Sequence, residues 1–229
     1  MAQAHKPSKH EAQPAYSQRF IEAVAFAAHE HRSQVRKGSR IPYMSHLMAV
    51  SGFVMEVGGT EDQWIAGLLH DAIEDAGVTT ETLAERFGPT VASIVLACSD
   101  YDPAQHGDTK PGWRIRKETY IASLWHDPDN VLLVSCADKW HNSQAILNDL
   151  AGPVGTKVWT RFSAPPCCVR WYYRSILAVM EARLHNPYAV GRLRASVRAL
   201  SREADRSASM PSVRKCAFGG GGHVVLQAP

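Results

Sequence analysis

The chain has 229 residues, 45% of them hydrophobic and 21% charged, with a net charge of +3; this composition is ordinary for one soluble globular domain and cramped for two. No stretch approaches the roughly 20 apolar residues of a membrane span, and residues 1–15 are polar, with two prolines and no apolar run of a secretory signal. The cytoplasm is the expected compartment, and five cysteines without a CxxC pair argue against a disulfide scaffold or a thiolate zinc site.

Apolar residues at helical spacing (Phe20, Ile21, Val24, Phe26, Ala27) predict a helix over 16–28. Residues 35–42, with Gly38 and Pro42 among charges, read as a loop that delivers Arg36 and Lys37. A second helix is predicted over 43–57, ended by Gly58 and Gly59, and a third from Glu61 to about Ala76, after Thr60 as N-cap. A short helix over 81–86 follows Thr79 and Thr80, and another runs from Thr90 to about Cys98. Residues 100–112, with two prolines and two glycines, read as a mobile polar loop. Helices are predicted over 113–126 and 130–150; the run VLLVSCA inside the latter also suits a buried strand, but no other strand signal accompanies it. Residues 157–185 look helical, broken or kinked at Pro165 and Pro166, and a last helix covers 188–202. The chain thus divides into a flexible start (1–15), one all-α domain (16–206) and a flexible tail (207–229) rich in serine and glycine.

Basic patches at 32–40 and 192–206 suit a phosphate-bearing ligand or a solvated face. No nucleic-acid reading module accompanies them, so neither a nucleic-acid polymer nor a membrane is an expected partner. Oligomeric state is not legible.

The segment AGLLHDAIEDAG places His70, Asp71, Glu74 and Asp75 within an arc of roughly 140° on one helix. An adjacent imidazole and carboxylate can bind a divalent cation, with two further carboxylates one turn away. His46, at the start of a helix, and Asp138, in SCADKWHNSQ, can complete a set of two imidazoles and two carboxylates. That donor set suits manganese, iron or zinc, and its oxygen content favours Mn(II). His29, His31, His126 and His141 read as surface or core histidines, and Trp140 and the 171–173 cluster as packing.

HRSQVRKG (31–38), PYMSHL (42–47), HDAIEDAG (70–77), FGPTVASIV (87–95) and ADKWHN (137–142), in this order and with WYY at 171–173, resemble the hydrolase domain of the RelA/SpoT family. The likeness is nearest to its stand-alone small alarmone hydrolases and spans residues 29–173. It implies an HD-domain helical bundle that removes the 3′-pyrophosphate of guanosine tetra- or pentaphosphate, (p)ppGpp, with Mn(II). His46, His70, Asp71 and Asp138 match the family's metal ligands, Glu74 and Asp75 its catalytic acidic pair, and Arg36, Lys37 and Asn142 residues near the nucleotide. Lys139 is a further candidate for phosphate charge. The alternatives are an HD phosphohydrolase of another nucleotide, such as an adenosine alarmone, a deoxynucleotide or NADPH, and a silent alarmone-binding module. Pro165 and Pro166 depart from the family's continuous charged helix before WYY, and the tail matches nothing in it.

Overall fold

A computed structural model describes residues 15–99, 111–210 and 213. The expectations for residues 1–14, for most of the loop at 100–112 and for most of the tail lie outside the described residues. The described residues are helical, without a strand; a single isolated bridge pairs Val35 with Pro42 at the base of the cationic loop.

The N-terminal helices are α1 (Gln18–Glu30), α2 (Met44–Glu56), α3 (Glu61–Leu69), α4 (Ala72–Ala76), α5 (Thr80–Phe87) and α6 (Pro89–Cys98). They are followed by α7 (Trp113–Leu124), the long α8 (Asp129–Ala151), a 3-10 helix (Gly155–Arg161), α9 (Pro166–Arg183) and α10 (Pro187–Ala208). The VLLVSCA run is helical, inside α8, and every residue from Val131 to Asp138 is buried. A helix apolar around its circumference belongs at the centre of a bundle, and α2, α3, α6, α9 and α10 all pack on α8. No described helix is long and apolar enough to cross a membrane.

Local chemistry sets the boundaries. Thr60 and Gln63 form a reciprocal capping box that starts α3, and Thr79 accepts from the Thr82 amide to start α5. Pro165 and Pro166 fall at the N-cap and first position of α9, where the missing N–H costs nothing, so they separate the 3-10 helix from α9. The last helix extends to Ala208, six residues beyond the periodicity-based end at 202.

One expected helix is two. The helix from Glu61 to about Ala76 is interrupted at His70 and Asp71, because Asp71 adopts φ −100°, ψ 2°, the bridge region at the edge of helical space. The chain resumes as α4, with the Asp75 amide donating to the Asp71 carbonyl, and ends at left-handed Gly77 (φ 68°), where the Val78 amide reaches back to Ala72. The interruption falls at the His-Asp pair itself, so His70 ends one helix and Glu74 and Asp75 lie on the next, and the four residues do not share the single helical arc expected of them.

Candidate metal and phosphohydrolase site

His46 comes from the first turn of α2, His70 from the end of α3, Asp71 from the break and Asp138 from the middle of α8. The close approach of α2 and α3 that brings the imidazoles together depends on Gly67: a Cβ there would lie 3.1 Å from Ser51 Cα and 3.2 Å from its nitrogen. Ser51 Oγ in turn donates to the Trp64 carbonyl, tying the two helices.

The four side chains converge. His46 Nε2 lies 3.2 Å from His70 Nε2 and 3.2 Å from Asp138 Oδ1, and His70 Nε2 lies 3.5 Å from that same oxygen. Asp71 Oδ2 is 3.0 Å from His70 Nε2 and 3.6 Å from His46 Nε2. His46, His70 and Asp138 are buried, and their ligand atoms are close enough together to hold one metal ion. Asp71 is partly exposed and closes the cluster on its open side.

The tautomers suit that use. The Gly67 carbonyl can only accept, so His70 donates to it from Nδ1 (2.9 Å) and turns Nε2 inward. His46 Nδ1 lies 2.7 Å from His141 Nδ1, which leaves its Nε2 facing the cluster. Burial pushes the His141 imidazole down to about 4, aided by the neighbouring His46 and Arg36, so it stays neutral and can accept from His46. Such partners orient metal-binding histidines. Burial alone would push His70 down and both carboxyls up, but mutual attraction prevails. Asp71 and Asp138 hold His70 above its ordinary value; His70 and His46 hold Asp71 well below its own, and Lys139 with the same histidines does so for Asp138. The cluster therefore favours positive charge at its centre, and a cation entering it would displace a proton.

Around this centre the candidate substrate residues are unequal. Arg36 Nη2 donates to Asn142 Oδ1 (2.7 Å), and Asn142 Nδ2 donates to Asp138 Oδ1, so both stand beside the cluster. Lys139 is mostly buried, pairs with Asp138 Oδ2 and lies 4.8 Å from the Tyr120 ring centre; its charge serves Asp138. Lys37 is exposed. On α4, Glu74 is half-buried and Asp75 exposed, with Asp75 Oδ2 accepting from Gln34 Nε2 at 2.8 Å.

Other residues at the site were assigned no part in it from the sequence. Tyr43 OH donates to Asp71 Oδ2 at 2.6 Å; burial and the adjacent carboxylate raise its pKa far above the ordinary value, so it remains a donor. His31 is buried, stacks on Tyr43 and bonds to Gln34. His141, expected only to pack or face solvent, touches a cluster histidine. Its one available signal is its place three residues after Asp138, which puts both on one face of α8. His29 and His126 are exposed, and Trp140 packs in a stack on Phe53, 4.5 Å between ring centres.

Comparison with known proteins gives the family. A protein of Mycobacterium leprae named as a probable GTP pyrophosphokinase is 36% identical over 124 residues, 54% of this chain but 15% of that protein. The guanosine-3′,5′-bis(diphosphate) 3′-pyrophosphohydrolase MESH1 of Xenopus tropicalis is 34% identical over 126 residues, 54% of this chain and 66% of that protein. Among solved structures, a metazoan ortholog of SpoT described as hydrolysing ppGpp superposes with a TM-score of 0.56 at 22% identity, over 85% of this chain and 96% of that one, a likeness of fold. The aligned segment is thus a small part of the long bacterial relatives. The profile of the HD domain matches residues 23–159, a span that holds the four clustered side chains together with Glu74 and Asp75, and the chain belongs to the HD domain family.

Proposed function

We propose that this chain is a metal-dependent phosphohydrolase that removes the 3′-pyrophosphate of (p)ppGpp, yielding GDP or GTP and pyrophosphate, with Mn(II) as the ion. The observation that carries this reading is the buried convergence of His46, His70 and Asp138 with Asp71, next to an acidic pair and a cationic loop. The MESH1 relative, named for this reaction, supports the choice of substrate.

His46, His70, Asp71 and Asp138 would hold the ion. When bound, it supplies Lewis acidity toward a phosphoryl oxygen and toward water. The chain's own groups do the rest. Glu74 and Asp75 orient the attacking water, and one of them accepts its proton as the water oxygen bonds to phosphorus and the phosphorus–O3′ bond breaks; that proton then passes to the leaving ribose 3′ oxygen. Gln34 fixes the Asp75 carboxylate. Arg36, steadied by Asn142, presents a planar fork to phosphate oxygens, and exposed Lys37 adds a mobile point charge. Lys139 acts through Asp138, whose carboxylate it keeps ionised.

The test is a substrate panel on the purified chain with Mn(II): guanosine and adenosine 3′-pyrophosphates, deoxynucleotides and NADPH, with Asp71→Ala as control. Pyrophosphate release from ppGpp, abolished in the variant, is the expected result. Failure to release pyrophosphate from either alarmone overturns the substrate assignment. Glu74→Gln is expected to lower kcat about 10²- to 10⁴-fold while Mn(II) still binds.

A further inference from the structure

The basic patch at 192–206 plays no part in the site above. In the fold it forms one wall of a groove between α9 and α10, with a volume of about 350 Å³, within the size range of small-ligand sites. We propose that this groove is a second anion site, which binds a short polyphosphate chain.

Two ion pairs close the groove. Arg170 of α9 pairs with Asp205 of α10 at one end, and Glu181 of α9 with Arg194 of α10 at the other, 2.6 Å apart. The antiparallel register places Arg174, Arg198 and Arg202 between these pairs, and none of the three makes an ion pair or hydrogen bond with a described residue. Arg198 and Arg202 are one turn apart on α10, so both face the groove, with Arg174 on the opposite wall. Leu177, Val197 and Ser201 lie between the walls. Three unpartnered guanidinium groups in one concave site repel one another and attract an anion, and their planar forks match phosphate oxygens.

The shape selects a short anion over a polymer. The carboxylates of Asp205 and Glu181 stand at the two ends, where a continuing polyanion would have to pass them. Among the described residues no aromatic side chain lines the groove, so these walls lack the stacking platforms on which single-stranded nucleic acids bind. None of the lining residues belongs to the metal cluster or its bonded neighbours, so this site stands or falls independently of the proposed reaction.

The experiment is calorimetric titration of the full chain in EDTA, which keeps metal out of the cluster, with inorganic tripolyphosphate and with GTP as probes. Arg174→Gln, Arg198→Gln and Arg202→Gln together keep helix propensity and a polar side chain while removing three charges; this variant should bind tripolyphosphate at least about tenfold more weakly. Asp205→Asn removes a competing carboxylate and frees Arg170, so it should bind more tightly, a gain that misfolding cannot mimic. Arg206→Gln, in the same basic stretch but outside the groove lining, should bind tripolyphosphate as the unmodified chain does. Unchanged binding by the triple variant, an equal loss of binding in Arg206→Gln, or binding of GTP or an RNA oligonucleotide without binding of tripolyphosphate would each overturn the proposal.

Discussion

Tyr43 stands three residues before His46 and donates to the inner oxygen of Asp71. A hydrogen bond to a charged acceptor, placed behind a ligand, changes both the ligand's orientation and its charge. Tyr43→Phe should therefore weaken Mn(II) binding about 10- to 100-fold with little change in helix content, measured by metal titration alongside circular dichroism. Asp127, in the turn before α8, is a structural counterpart. Burial raises its pKa, partly offset by His126 and Arg183, and one of its oxygens is buried without a hydrogen-bond partner. Between the ordinary carboxylate value and the raised one, the folded state retains a proton that the unfolded state has released, so stability falls as pH rises through that window. Asp127→Asn should be the more stable protein at neutral pH, with the difference vanishing as pH drops below the ordinary carboxylate range, as followed by denaturant unfolding at several pH values. At this scale His46, His70, Asp71 and Asp138 were legible as a candidate set, from residue type and from the family resemblance, and the fold brings them together. Tyr43, Gln34 and His141 were not, since their roles arise only when the loop at 35–42 and α8 meet in space.

Helix existence was readable from apolar periodicity, and the ends where a cap or proline acts fell close to expectation. The interruption of α3 at Asp71 was not, because no proline or glycine announces it; Gly152, Pro153 and Gly155 mark a break before 155–161, but not its 3-10 geometry. Glycine shows the same division. Gly52, inside α2, and Gly67, inside α3, look alike in the sequence, but a Cβ at Gly52 would meet nothing within 4 Å, whereas one at Gly67 would press on the Ser51 backbone. Gly52→Ala should stabilise the fold by about 0.5–1 kcal/mol through helix propensity. Gly67→Ala gains the same propensity, yet must push two packed backbones apart, an overpacking cost of about 1–3 kcal/mol. It should be net destabilising and should weaken Mn(II) binding, because the displaced helices carry His46 and His70. Chemical denaturation of both variants, with a metal titration of the second, checks the opposite signs.

For the molecule as a whole, the candidate metal site lies where three packed helical segments meet: the start of α2, the end of α3 with its break, and the middle of α8. Each is also held by apolar packing around α8, so the fold does not depend on an ion, but any ion that bridges them binds the folded chain in preference to the unfolded one. Mass action then fixes the size of the effect. At a free Mn(II) concentration a hundredfold above Kd, the native state gains about 2.7 kcal/mol, and a domain of this size shifts its Tm by about 2–4 °C per kcal/mol. Mn(II) should therefore raise Tm by about 5–10 °C, and EDTA should reverse the rise. Asp138→Ala should lose the response to metal. It should also lose stability in EDTA, because Lys139 would be left buried without its carboxylate partner, a cost of about 3–5 kcal/mol for a broken buried pair. Glu74→Gln, which replaces a proposed proton acceptor and none of the four proposed ligands, should keep the full response. A thermal scan of the three proteins with and without Mn(II) separates binding from catalysis: a Tm unmoved by metal in the unmodified chain would mean that the four side chains do not cage an ion, whatever the chain's activity.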